Sequence, residues 1–187
     1  MRGFVVGLIL GAVAVCAGVY VYFAYGFAPV ATAAEAMPFE KMLARKSLHA
    51  RMEKEMPKSV PLQWDEANLT AGAQIYVRDC AVCHGVSGQD PTVVAKGMYP
   101  KPPKLMEGTG VTDDPVQESY WKIAGGIRMT GMPAFKESLS DTQLWQVSLL
   151  VANANNLPAA AKQILTSAAA GPNASTPGAP PAKMPKR

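Results

Sequence analysis

The feature that most constrains this chain is the pentapeptide Cys80-Ala81-Val82-Cys83-His84. Two cysteines three positions apart, with histidine directly after the second, form the attachment pattern of c-type haem. The two thiols add to the haem vinyl groups as thioethers, which holds the following histidine next to the iron as an axial ligand. The pattern therefore predicts one covalent haem c bound through Cys80, Cys83 and His84.

Two other chemistries use paired cysteines, and the rest of the sequence argues against both. A zinc site needs a second pair of Cys or His ligands, whereas the only other such residues are His49 and Cys16, which lies inside an apolar run. A thioredoxin-like redox pair needs alternating strands and helices around it, and no strand pattern flanks this motif. Haem attachment is the interpretation that remains.

The N-terminus is apolar, with low polarity throughout Phe4–Val30. About twenty such residues are enough to cross the hydrocarbon core of a bilayer, so we predict a transmembrane helix within residues 1–34. Arg2 then predicts an N-terminus inside the bacterial cytoplasmic membrane and a haem domain in the periplasm or on the outer face. The alternative is a signal peptide cleaved at the A-x-A pattern Ala31-Thr32-Ala33.

Residues 35–65 are predicted to form an amphipathic helix followed by a linker. Pro38 and Pro57 mark the ends of the helix, and methionines recur along one of its faces at helical spacing: Met42, Met52 and Met56. We interpret this face as a docking surface for the domain or for a partner. His49 is interpreted as solvent-exposed, with distal haem ligation as the alternative.

The remaining sequence divides into a helical domain, residues 66–160, and a tail, residues 161–187. Asn68 or Thr70 is the predicted N-cap of the first domain helix. Two capping boxes predict two further helix starts: Asp114-Pro115-Val116-Gln117 and Ser140-Asp141-Thr142-Gln143. The tail is rich in Ala, Pro, Gly, Ser and Thr, and such a composition predicts disorder.

The charge distribution excludes a nucleic-acid partner. The formal net charge is +4, but residues 60–160 hold seven Lys and Arg against ten Asp and Glu. No basic face interleaved with aromatic residues is present, as nucleic-acid binding would require. Lys96, Lys101 and Lys104 are interpreted as solvated loop charges, with a docking patch for a redox partner as the alternative.

A sixth iron ligand is predicted from the loop of residues 126–135, which carries Met129 and Met132. A thioether is a soft, neutral ligand, and His/Met ligation raises the potential of haem iron. Pro133 stiffens the chain directly after Met132, which favours Met132 over its competitor Met129. Met98 and Met106 are interpreted as pocket or loop residues.

From about residue 66 to 157 the sequence resembles class I cytochrome c. The resemblance rests on these residues: Gly72, Tyr76, Cys80-x-x-Cys83-His84, Pro103-Lys104-Leu105 and Gly131-Met132-Pro133. It implies an all-α fold, the class I cytochrome c fold around one covalent haem c, in which the terminal helices cross at Gly72 and Tyr76, near Trp145 and Leu149. It also implies that His84 and Met132 are the axial ligands and that the Pro103 carbonyl accepts the His84 ring N–H, which fixes the ring.

Iron with both axial positions filled by protein has no open position for a substrate. We therefore predict a non-enzymatic, membrane-tethered cytochrome that carries single electrons between respiratory-chain partners. These partners would be redox proteins of the membrane or periplasm, with no small-molecule substrate. Two alternatives stay open: a haem c subunit fixed in a larger oxidase, reductase or dehydrogenase, and a ligand-binding or peroxidase-like haem protein. Against the latter, the loop offers Arg128 but no distal histidine.

Overall fold

The computed structural model describes residues 1–107 and 114–169. Every regular element within these residues is a helix, as the sequence predicts. The chain divides into two compact units, with the boundary between Leu48 and His49. The tail beyond residue 169 lies outside the described residues.

The first helix, α1, spans Arg2–Ala24 and contains 23 residues. At 1.5 Å per residue it is about 35 Å long, which exceeds the roughly 30 Å thickness of a hydrocarbon core. None of its residues is buried. Among the described residues it is the one helix that is long and apolar enough to cross a membrane.

The second helix, α2, spans Glu40–Glu55 and lies between the two predicted proline boundaries. Of the predicted methionine face, Met52 is 2% exposed whereas Met42 is 56% exposed. His49 is exposed. The face is therefore only partly buried.

The domain that follows is built from short helices. In chain order they are α3 (Glu66–Ile75), a π-helical turn (Tyr76–Cys80), α4 (Ala81–His84), α5 (Val93–Gly97), α6 (Val116–Gly125), α7 (Asp141–Ala152), a 3₁₀ turn (Ala154–Asn156) and α8 (Ala159–Ala169). The core lies between α3, α6, α7 and α8. The most deeply buried large side chains are Tyr76, Leu69, Leu150 and Val147.

The crossing of α3 over α7 occurs at Gly72. A Cβ atom added there would lie 2.3 Å from the main-chain oxygen of Gln146, so only glycine permits this approach. The Gln146 amide donates to Asn68 Oδ1 at 3.1 Å on the same side of the crossing. Trp145 and Leu149, expected near this crossing, are both buried in α7.

The helix starts match the sequence in one case and differ in two. Ser140 and Gln143 form the predicted capping box of α7. The N-cap of α3 is Asp65 instead of Asn68 or Thr70, because its carboxylate accepts the Asn68 N–H at 2.8 Å. Helix α6 begins after Pro115, whose side chain cannot cap, and Asp114 instead lies 3.2 Å from the Lys122 ammonium.

The domain extends beyond the boundary expected at residue 160. Helix α8 occupies part of the segment predicted to be disordered and packs against α3. Ala161 is fully buried and Leu165 is 8% exposed, and both belong to the hydrophobic core. Burial of this apolar face stabilises a helix that composition alone did not indicate.

Candidate haem site

The cysteine motif begins at the end of a π-helical turn. The Ala81 N–H bonds to the Tyr76 carbonyl, five residues earlier, and the chain then continues as α4 to His84. Gly85 ends α4 with φ +70°, a backbone conformation that glycine adopts without strain. A π turn widens a helix by one residue and is frequent at functional sites.

Tyr76 ties the two ends of this segment together. Its side chain is fully buried, and its hydroxyl donates to the Gly85 carbonyl at 2.6 Å. Burial raises the pKa of Tyr76 far above its usual value, so the hydroxyl keeps its proton and remains a donor. The bond spans nine residues and encloses the whole motif.

The motif opens onto a cavity of about 470 Å³. Cys80, Cys83, His84 and Met132 all contribute to its wall. The rest of the wall is mainly apolar, including Leu105, Ile123, Ile127, Phe135, Val147 and Val151. An apolar cavity that joins two thiols, an imidazole and a thioether has the donor set and the environment of a covalent haem c with iron.

His84 is oriented for ligation by its other ring nitrogen. Its Nδ1 atom lies 2.7 Å from the Pro103 carbonyl oxygen. Because a carbonyl only accepts hydrogen bonds, Nδ1 carries the proton and the lone pair is on Nε2. Burial lowers the pKa of His84, which favours the neutral imidazole that binds metals. The expected bond to Pro103 is confirmed.

Cys80 and Cys83 form no disulfide with each other, and both are partly buried. Burial raises the pKa of Cys80 to about 12, with smaller contributions from Asp79 and Cys83. Cys80 is therefore a protonated thiol before attachment.

Met132, which also lines the cavity, is presented by a loop that hydrogen bonds to itself. The Ile127 N–H donates to the Met132 carbonyl at 3.2 Å. The Thr130 hydroxyl donates to the Ile127 carbonyl at 2.7 Å and accepts the Met132 N–H at 3.1 Å. These bonds make the Met132 backbone part of a closed turn.

This loop is also fastened to α6. The Phe135 and Lys136 N–H groups donate to the carbonyls of Ile123 and Ala124, at 3.0 and 3.2 Å. Gly126, with φ +65°, makes the turn between helix and loop. A Cβ atom there would lie 2.7 Å from Pro133 C and from Ala134 N, so the position requires glycine for space as well as for conformation.

The structure separates the two candidate methionines of the loop. Met132 is partly buried and lines the cavity, whereas Met129 is 93% exposed and does not line it. Met98 also lines the cavity, while Met106 belongs to the hydrophobic core. His49, the alternative distal residue, does not line the cavity.

The three lysines considered as a docking patch differ from one another. Lys101 borders the cavity and donates to the Lys96 carbonyl. Lys104 pairs with Glu107 at 3.3 Å, and exposed pairs of this kind contribute little to stability. Lys96 is exposed.

Sequence reasoning missed part of the cavity wall. Val147 and Val151 lie on α7, four residues apart, and so share one face of that helix. Their apolar character signalled burial but not what they face. Met98 also contacts the Met132 loop at Gly131, and this contact had no sequence signal, because it joins distant parts of the chain.

Comparisons with known proteins support a c-type cytochrome domain. Residues 67–149 match a family model described as cytochrome C oxidase, cbb3-type, subunit III. Over 83 residues the chain is 29% identical to the quinohemoprotein alcohol dehydrogenase ADH IIB of Pseudomonas putida, a match that covers 44% of this chain and 11% of that protein. The chain thus spans about a tenth of the curated relative that it matches.

A solved structure, the Kuenenia stuttgartiensis reducing HAO-like protein complex, is similar at 26% identity and a TM-score of 0.45, covering 55% of this chain and 52% of that chain.

The family match identifies residues 67–149 as a cytochrome c domain. A domain of this family carries covalently bound haem c with iron and transfers electrons.

Proposed function

We propose that this protein is a membrane-tethered c-type cytochrome that carries single electrons through a haem c ligated by His84 and Met132. The observation that carries the proposal is that both side chains line one cavity together with Cys80 and Cys83. When bound, the haem supplies a one-electron couple between ferrous and ferric iron.

The residues of the chain have separate tasks in this proposal. Cys80 and Cys83 hold the cofactor covalently, and the Pro103 carbonyl keeps the His84 ring in one orientation. Met132, from the loop of residues 126–135, would supply a second iron ligand and would thereby exclude exogenous ligands. The apolar side chains of α6 and α7 keep water from the cavity, which is a further means of setting the potential of the site.

Membrane attachment through α1 is part of the proposal. A 23-residue apolar helix has the length of an uncleaved anchor, and Arg2 favours an N-terminus on the inside by the positive-inside rule. Tethering keeps the domain at an effective concentration of up to about the millimolar range near membrane-bound redox partners. Cleavage at Ala31-Thr32-Ala33 would instead release a periplasmic domain.

A second candidate is a haem c subunit fixed within a larger oxidoreductase. Two findings favour it: the matching family model describes an oxidase subunit, and in the alcohol dehydrogenase the matched segment is a small part of a larger protein. The electron-transfer chemistry is the same in both cases. Purification of the full chain from membranes in mild detergent distinguishes them, because a subunit co-purifies in fixed stoichiometry and a carrier does not.

The ligation is tested with the haem-loaded full chain in its oxidised form. We expect the weak far-red sulfur-to-iron band of His/Met haem, and we expect Met132→Ala to abolish it while Met129→Ala leaves it intact. Both variants should retain covalent haem, since neither alters the cysteines. A wild-type protein that lacks the band and binds carbon monoxide readily when reduced would contradict the proposal and favour ligand-binding or peroxidase-like chemistry.

A further inference from the structure

The wall of the cavity contains a second thioether, that of Met98. Met98 directly follows α5, and its N–H donates to the Ala95 carbonyl at 3.3 Å. Five residues later the same segment carries Pro103, whose carbonyl orients His84. Met98 therefore belongs to the chain segment that supports the histidine side of the cavity.

The Met98 side chain reaches across to the methionine loop. A Cβ atom built on Gly131 would lie 2.0 Å from Met98 Cε, 3.5 Å from Sδ and 3.7 Å from Cγ. These distances mean that the end of Met98 lies along the Gly131 main chain, in the space that any side chain at 131 would need. Gly131 directly precedes Met132, so the contact is made next to the proposed ligand.

We propose that Met98 is a positioning residue for Met132. Its terminal methyl packs against Gly131 and prevents the Gly131–Met132 backbone from moving toward the Met98 side. The inference rests on the proposed function, because it presupposes that Met132 is the axial ligand. Methionine suits this task because its unbranched thioether fills irregular gaps between segments.

The hydrogen bonds of the Met132 loop have roles different from that of the Met98 contact. Hydrogen bonds from Thr130 and Ile127 set the internal shape of the loop, and those to Ile123 and Ala124 fasten it to α6. The Met98 contact is made by a different segment, the one that also holds His84. It therefore joins the segment that supports His84 to the loop that carries Met132, and the two residues would need a fixed separation to bind one iron.

A double-mutant cycle tests this contact directly. In the haem-loaded full chain, Gly131→Ala alone places a methyl group on Met98 Cε, and Met98→Ala alone leaves a gap beside Gly131. We expect Met98→Ala to weaken the far-red band and to increase the rate of carbon monoxide binding to the reduced protein by about tenfold. Gly131→Ala should have a smaller effect, because it displaces only the flexible end of Met98. The double variant should lie closer to wild type than Met98→Ala does, because the new methyl partly fills the gap.

Met98→Leu is the matched conservative variant. It keeps most of the volume without the sulfur, and volume-conserving exchanges of this kind are usually tolerated. We expect it to retain the band and slow carbon monoxide binding, which also keeps the test decisive if Met98→Ala fails to mature. Covalent haem content and the thermal midpoint separate a loosened ligand from general unfolding.

The outcomes distinguish this inference from the function on which it rests. If Met132→Ala abolishes the band but the effects of Met98→Ala and Gly131→Ala simply add, the positioning role is overturned and the ligation stands. If Met132→Ala keeps the band and additional Met98→Leu removes it, Met98 is itself a ligand and both proposals are overturned. Strong compensation in the double variant supports the positioning role.

Discussion

The two walls of the haem cavity are built by different means. On the histidine wall, His84 adjoins the attachment cysteines in sequence, and the Tyr76–Gly85 bond closes the segment over nine residues. On the methionine wall, Met132 is 49 or more positions from those cysteines and depends on a loop fastened to α6. The difference shows that the position of His84 follows from the attachment motif itself, whereas the position of Met132 depends on tertiary structure.

Two glycines, one on each wall, show this difference in how closely the chain is packed. Gly85 and Gly126 both have a positive φ, +70° and +65°. A Cβ atom on Gly85 would meet nothing within 4 Å, whereas one on Gly126 would meet main-chain atoms of Pro133 and Ala134 at 2.7 Å. The histidine wall therefore tolerates a methyl group at the cost of strain alone, and the methionine wall does not.

The largest effect is expected for Gly126→Ala. Backbone strain of about 1–3 kcal/mol adds to the collision with Pro133 and Ala134, so we expect a total loss of about 2–4 kcal/mol of unfolding free energy. The far-red band should be lost while covalent haem remains. Chemical denaturation and the optical spectrum measure the two effects.

Two control variants test whether the effect is specific to Gly126. Gly125→Ala adds a methyl group where nothing lies within 4 Å, and it should leave both the band and the stability nearly unchanged. Gly85→Ala should cost only about 1–3 kcal/mol, the strain of a backbone with positive φ and extended ψ, and should keep the band. Equal loss of the band in Gly85→Ala and Gly126→Ala would remove the contrast between the walls.

A smaller effect is expected on the histidine wall for Tyr76→Phe. The change leaves the aromatic ring in place and removes the donor to the Gly85 carbonyl, which should cost about 1–2 kcal/mol of unfolding free energy. Ligation should be preserved, because the cysteines and Pro103 still hold His84. Loss of the far-red band in this variant would show that the two walls are coupled through the motif.

The smallest expected effect is on the pH dependence of stability. It involves α6, the helix to which the methionine loop is fastened. Tyr120 on α6 stacks on Trp145 at 3.9 Å, and its hydroxyl bond to Asp141 raises its pKa to about 12. The folded state therefore binds this proton more tightly than the unfolded state, whose tyrosine pKa is about 10. The resulting stabilisation is complete below pH 10 and is lost as the pH rises from 10 to 12.

Tyr120→Phe should accordingly flatten the fall in stability between pH 10 and 12. At neutral pH we expect a loss of less than about 1 kcal/mol, because the site is exposed and the ring stack remains. Denaturation at several pH values compares the variant with wild type. An unchanged slope above pH 10 would mean that the Asp141 bond does not stabilise the α6–α7 pair.

Local signals in the sequence predicted the parts of the fold that depend on nearby residues. The haem motif and the Ser140–Gln143 capping box are each recognised from closely spaced residues. Both lie where the sequence predicts them. Gly72 marked the helix crossing because a residue without a side chain is needed there. The order of Met129 and Met132 followed from one proline, and the exposure of Met129 agrees with it.

What the sequence did not indicate depends on distant contacts or on subtle helix geometry. Helix α8 was hidden by an alanine-rich composition typical of disorder, although Ala161 and Leu165 share a buried face. The π turn at Tyr76–Cys80 adds one residue to a single helical turn. A segment this short does not show a hydrophobic periodicity from which the turn could be predicted. The contact of Met98 with Gly131 joins two loops and can be recognised only in three dimensions.

The α3–α7 crossing has a consequence for the kinetics of folding. Asn68 and Gln146, which bond across it, are 78 positions apart, and every residue assigned to the haem lies between them. Closing a loop of that length costs about 4 kcal/mol of chain entropy, apart from a constant term, and such non-local contacts slow folding. If residues 84 and 132 both bind the iron, as proposed, that link would divide this loop into shorter stretches. The cofactor would then accelerate the search for the native topology as well as transfer electrons.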